Sequence, residues 1–197
     1  MLKNKHFALC TIAAAVLSAV CVTTVNAEDF SGSSWNQSGE ITYDKFSIEN
    51  SDLTGMVAVE LGSQNTTLTV TDDFSVIVGR TSENIYQDVI GVWLSTDGTT
   101  LTTQKGLKIQ VTNNSTSNVS GYGTIGLSSA GGAVALGTGS NTVTVTNSNG
   151  DNYVNGVYMA NGAILSGANL TVVATNEAEG RVEDPENSWI EIPNNTF

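Results

Sequence analysis

Gly126-Leu-Ser-Ser-Ala-Gly-Gly132-Ala-Val-Ala-Leu136, running on into Gly139-Ser-Asn141-Thr-Val143-Thr-Val145-Thr, decides the reading of this chain because it recurs. Gly156-Val-Tyr-Met-Ala-Asn-Gly162-Ala-Ile-Leu165 likewise leads into Gly167-Ala-Asn169-Leu170-Thr-Val172-Val. A looser copy runs from Gly91-Val-Trp-Leu through Gly98-Thr-Thr-Leu to Leu107-Lys-Ile109-Gln-Val111-Thr. Part of a fourth is Gly55-Met-Val-Ala-Val, then Asn65-Thr-Thr-Leu68-Thr-Val70-Thr. Aligning Gly55, Gly98, Gly132 and Gly162 gives a period that tightens from 43 to 34 to 30 residues. Repeats of that length indicate a solenoid or an array.

Each copy contains three short segments in which apolar residues alternate with Thr, Ser or Ala. In the third copy they are Ile125 and Leu127, Val134 and Leu136, and Val143 and Val145. Period-two alternation rich in Val and Thr predicts strands with one buried face. Three strands per repeat, always in the same order, predict an all-β fold: a right-handed parallel β-helix of about four coils. No coil covers its own inward face, so its neighbours must. Asn65, Asn141 and Asn169 precede the last strand of their copies in this alignment, which places a stacked asparagine ladder at one corner. Turn preference alone would also account for asparagine there.

The chain divides into four parts. Residues 1–27 read as an export signal: Lys3 and Lys5, an apolar run from Phe7 to Val22, and small residues at Val25-Asn26-Ala27. Residues 28–54 read as a linker and capping strands around Ile41, Tyr43, Phe46 and Ile48, residues 55–175 as the β-helix, and 176–197 as an acidic tail or the start of a further region. Cleavage after Ala27 would remove Cys10, Cys21 and His6, which are all the cysteine and histidine in the chain. A mature chain of that composition forms no disulfide, no Cys/His zinc site and no catalytic triad with an imidazole base. It would carry five basic and nineteen acidic residues, a net charge of −14. Such acidity argues against nucleic acid and anionic membrane surfaces as partners. No segment after the signal has the apolar length to span a bilayer.

Chemistry-bearing groupings are few. Asp72, Asp73 and Asp97 are the carboxylates a glycan-active β-helix enzyme would use as acid and base, although adjacent strand residues point to opposite faces. Asn147-Ser-Asn149-Gly150-Asp151-Asn152 lacks the alternating acids and distal Glu of a calcium loop, so no metal and no cofactor is expected. Insertions in a solenoid map to its outside. The segment from Arg80 to Asp88 and the Asn/Ser/Thr-rich segment from Asn113 to Gly123 therefore read as outward loops, with Arg80, Glu83, Tyr86 and Asp88 as candidate binding residues.

An export signal ahead of a Gly/Asn/Ser/Thr-rich chain, with Gly132-Ala-Val-Ala-Leu…Gly139-Ser-Asn-Thr-Val-Thr-Val and Gly162-Ala-Ile-Leu…Asn169-Leu-Thr-Val-Val, resembles the passenger region of bacterial autotransporters, with pertactin-like or AIDA-like coils. The resemblance covers Gly55 to Val173 and the signal. It implies a non-enzymatic, adhesin-type protein at the cell surface or released from it, with a host or cell-surface protein or a glycan as partner. The two dozen residues after Val173 are too few for a translocator barrel, so a passenger without its barrel is expected, periplasmic unless a translocator is supplied. Exposed strand edges at a solenoid end would also allow end-to-end self-association. The alternative is a polysaccharide hydrolase or lyase built on the three aspartates.

Overall fold

Alternation of Val, Ile and Leu with Thr and Ser becomes strand in every copy of the repeat. The computed structural model describes residues 28–82, 87–115, 122–148 and 153–177. The expected signal and all of the acidic tail beyond Glu177, along with Glu83 and Tyr86, lie outside the described residues. The strands are β1 (Glu28–Gly32), β2 (Trp35–Asn36), β3 (Glu40–Asn50), β4 (Val57–Leu61), β5 (Thr67–Val70), β6 (Asp73–Arg80), β7 (Val89–Leu94), β8 (Thr100–Thr103) and β9 (Gly106–Asn113). They continue as β10 (Gly123–Ala130), β11 (Ala133–Ala135), β12 (Asn141–Asn147), β13 (Tyr153–Ala160), β14 (Ile164–Ser166) and β15 (Leu170–Asn176). Every pairing is parallel, and no helix occurs among the described residues.

The pairings sort the strands into three faces that the chain visits in turn. The first face is β2-β4-β7-β10-β13, the second joins β5, β8, β11 and β14, and the third joins β6, β9, β12 and β15. Strand β3 serves two faces: Glu40–Tyr43 pair with β5, and Phe46–Asn50 pair with β6. The protein is therefore an all-β parallel solenoid, in which four three-stranded coils follow a first coil built from β2 and β3. Strand β1 pairs with β3 as well, so residues expected to form a linker take part in the stack.

The core is a set of inward columns. Val59, Val92 and Leu127 align on the first face, Leu68, Leu101 and Val134 on the second, and Val76, Ile109 and Val143 on the third, each with no exposed surface. Each such side chain contributes roughly 1.5–3 kcal/mol of transfer free energy. At the N-terminal end the column turns aromatic, with Phe30, Phe46 and Phe74 in register and stacked at 5.0 Å spacings. Trp35 meets Phe46 edge-on at 6.0 Å. The opposite end differs: Leu165, Leu170, Val172 and Ala174 of the last coil are only partly buried, whereas Val134, Val143 and Val145 one coil earlier are fully buried.

Strand register corrects the glycine alignment. Thr67, Thr100, Ala133 and Ile164 pair in one column, which puts Asn65, Gly98, Gly131 and Gly162 at one turn position two residues earlier. All four have left-handed backbone, with φ of 60°, 75°, 101° and 77°. Asparagine tolerates that region better than other side-chain-bearing residues, so Asn65 stands where later coils use glycine. The true period is 33, 33 and 31 residues, and Gly55 and Gly132 are not members of this column. A second column, Ala58, Gly91, Gly126 and Gly156, faces inward on the first face. A Cβ at Gly126 would lie 2.3 Å from Val143 Cγ1 and 2.6 Å from the Gly156 carbonyl oxygen, so the first and third faces approach too closely there for any side chain.

Candidate functional site at the corner between the third and first faces

Connections between strands are unequal around the coil. From β4 onward, the corners leading into and out of the second face take two to five residues. The connections from the third face back to the first include the two longest, eight residues after β6 and nine after β9, but only five after β12. This corner carries both segments expected to project outward.

Beneath it runs an asparagine ladder, at a different corner from the expected one. Arg80, Asn113, Asn147 and Asn176 end β6, β9, β12 and β15 and pair in register. Arg80, Asn113 and Asn147 are buried. Asn147 Nδ2 donates to Asn176 Oδ1 at 3.3 Å. Asn113 Nδ2 donates to Thr124 Oγ1 at 3.1 Å, while Asn113 Oδ1 accepts from Ser115 Oγ at 2.8 Å. Asn65, Asn141 and Asn169 form no column: Asn65 sits at the turn before β5, and Asn141 is in register with Leu170. Asn141 Nδ2 instead donates to the carbonyls of Gly137 and Ala168 at 3.0 and 2.8 Å, the latter one coil further on. The real ladder is foreshadowed by Val111-Thr-Asn113, Val145-Thr-Asn147 and Ala174-Thr-Asn176.

Arg80 heads the ladder where an asparagine would otherwise stand. Its side chain is 1% exposed, so the guanidinium faces inward rather than out from a loop. Nε donates to the Leu53 carbonyl at 3.1 Å, Nη1 to those of Gln87 and Asp88 at 2.8 and 3.3 Å, and Nη2 to that of Gly55 at 2.6 Å. Burial of an ion is tolerable only when its donors are met in this way. Desolvation lowers the Arg80 pKa, and the carboxylates of Asp52 and Asp88 act against that. Asp52 accepts from the Thr81 and Ser82 amides at 2.9 and 3.0 Å and from the Ser82 hydroxyl. These bonds, the Ser82 hydroxyl foremost, lower its pKa to about 2.

Asp88 joins three coils. Its Oδ1 accepts from the Gly123 amide at 2.6 Å and from the Tyr153 hydroxyl at 3.2 Å. Burial, reinforced by Asp88, raises the Tyr153 pKa to about 12. Of the four candidate binding residues, Arg80 and Asp88 thus hold the corner together, and Glu83 and Tyr86 are not among the described residues.

On the outside of the same corner lies an open groove of about 570 Å³. Ile77 and Gly79 line it together with the polar side chains of Glu49, Gln110, Thr112 and Asn114. Glycine is required at 79, since a Cβ there would lie 2.8 Å from the Ser51 carbonyl oxygen.

The three aspartates of the enzyme alternative are not brought together. Asp72 and Asp73 sit at the β5–β6 corner, and Asp97 lies between β7 and β8, in the next coil and at another corner. Lys105 pairs with Asp72 at 2.5 Å across adjacent coils and lowers its pKa. No group of three or more potential metal-ligating His, Cys, Asp or Glu residues occurs among the described residues. Nor is any helix there long and apolar enough to cross a membrane.

Fold and corner define a class, the parallel β-solenoid with its longer connections at one corner. In comparisons with known proteins the chain matches no family model, no curated protein and no solved structure.

Proposed function

We propose that this chain is an exported, non-enzymatic solenoid of the adhesin type, a passenger-like protein that uses the corner between its third and first faces to contact a protein or glycan at a cell surface. The observation that carries the reading is that the two longest connections begin and end at one corner, beside the buried in-register column of Arg80, Asn113 and Asn147. Insertions on one side of a solenoid are commonly its binding side, because they vary without disturbing the coil. Arg80 and Asp88 tie the connection ends to the scaffold, and the groove beside them offers amide, hydroxyl and carboxylate groups suited to a polar partner. The acidity of the chain favours a neutral or basic surface over a nucleic acid.

The test replaces residues 83–86 and 116–121 by Gly/Ser sequences of equal length, leaving Arg80, Asn113 and Asp88 in place. Attachment of the labelled full chain to intact epithelial cells is then measured, with circular dichroism as a fold check. Loss of attachment with unchanged melting is expected. Undiminished attachment of the doubly replaced chain would show that the corner is not the contact surface.

A further inference from the structure

The outer surface of the first face carries a column that the corner reading does not use. Asn36, Glu60, Trp93, Ser128 and Tyr158 lie in register on β2, β4, β7, β10 and β13, one from each coil. Their strand neighbours point inward: Val92 and Leu94 flank Trp93 with no exposed surface, and Val157 and Met159 flank Tyr158 at 2% and 3%. Neither Trp93 nor Tyr158 belongs to the hydrophobic core or packs against it. With coils about 4.8 Å apart, the column is roughly 19 Å long and the two rings are roughly 10 Å apart.

Polar and aromatic members are separated along the column. At the N-terminal end Asn36 Nδ2 donates to Glu60 Oε2 at 2.9 Å, leaving a planar amide–carboxylate pair at the surface. At the other end Ser128, a small residue left 5% exposed, lies between the half-buried Trp93 and the exposed Tyr158. Tyr153, five residues earlier on β13, is a further ring outside the column. It is 45% exposed yet held, with its hydroxyl on Asp88 and its ring over Gly123, where a Cβ would lie 2.0 Å from it. Rings fixed on a hydrogen-bonded sheet lose little entropy when covered, and an aromatic body with a polar tip suits a partner that is part apolar and part hydroxylated.

We propose that this column is a binding strip for a neutral polysaccharide, lying along the solenoid axis with sugar rings against Trp93 and Tyr158. A pyranose presents a C–H face that packs on an aromatic ring and an equatorial rim of hydroxyls that bonds to groups such as Glu60 and Asn36. The ring separation is about the span of a disaccharide, so alternate sugars of an extended chain meet alternate rings. Charge selects within the class: Glu60 lies in the strip and the chain is strongly acidic, which repels uronic-acid polymers.

The experiment titrates the full chain with hexamers of β-1,4-linked glucose, mannose and N-acetylglucosamine, with a galacturonate hexamer as the charged control. Binding is followed by tryptophan emission and calorimetry. Saturable binding of at least one neutral hexamer is expected, tighter than that of its disaccharide. Trp93→Ala and Tyr158→Ala should each weaken it by about tenfold or more, with Trp93→Phe retaining most of the affinity and thermal unfolding unchanged throughout. The proposal is overturned if no neutral hexamer binds, if galacturonate binds best, or if the Trp93→Ala/Tyr158→Ala double variant binds like the parent. Replacing the corner loops leaves this strip intact, so the two readings fail separately.

Discussion

Replacing Arg80 by methionine isolates the energetic role of the ladder head. Methionine keeps most of the apolar stem but removes five N–H donors. The carbonyls of Leu53, Gly55, Gln87 and Asp88 then lose bonds of 3.1, 2.6, 2.8 and 3.3 Å. A buried acceptor stripped of its donor costs about 1–3 kcal/mol, and water entering from the corner would relieve part of this. Four such acceptors, partly rehydrated, put the expected loss at about 3–5 kcal/mol. With a urea m-value of about 2 kcal/mol/M, the unfolding midpoint should fall by about 2 M. Equilibrium urea denaturation followed by far-ultraviolet circular dichroism measures it. Arg80→Lys should fall between, because a single ammonium cannot reach carbonyls on both sides of the corner. A midpoint within about 0.3 M of the parent would refute the reasoning, since it would mean that these carbonyls are already hydrated in the native state.

Two further outcomes follow from the same geometry. Gly126→Ala forces a methyl against Val143 and the Gly156 carbonyl, and should destabilise the fold by about 1–3 kcal/mol or more, read as a lowered midpoint in the same denaturation; an unchanged midpoint would mean the two faces can part at no cost. Asp52, held at about 2 and so below the usual aspartate range, contributes stability that is complete above its unfolded pKa and lost as pH falls through its folded one. Thermal melts between pH 5 and 2 should therefore decline more steeply for the parent than for Asp52→Asn, and parallel curves would count against the assigned bonds.

Much of the fold could be read before any coordinates. Period-two alternation fixes which residues face inward, because successive strand side chains point to opposite sides. Val143 and Val145, or Leu68 and Val70, are buried as alternation requires. The glycine alignment failed for a physical reason. Glycine answers to two different demands here, left-handed backbone at Gly98, Gly131 and Gly162, and close approach of two faces at Gly91, Gly126 and Gly156. A one-dimensional alignment cannot separate them, and it also misses Asn65 filling a glycine position.

The site was less legible. Arg80 and Asp88 drew attention as loop residues, but one is the buried last residue of a strand and the other a hydrogen-bond acceptor for two later coils. A charged residue between polar neighbours reads the same whether it points in or out. The aromatic strip was visible in principle, since Gly91-Val-Trp93 and Gly156-Val-Tyr158 align. Its outward direction and the intervening Ser128 needed the register.

What the sequence by itself determined is the repeating strand pattern, and with it a parallel solenoid of about four coils, because local alternation and turn residues act within a few positions of the chain. What only the tertiary structure decided is which residues of different coils stand above one another. Connection lengths differ from coil to coil, so columns such as Arg80-Asn113-Asn147-Asn176 and Asn36-Glu60-Trp93-Ser128-Tyr158 exist only once hydrogen-bond register has set the stacking.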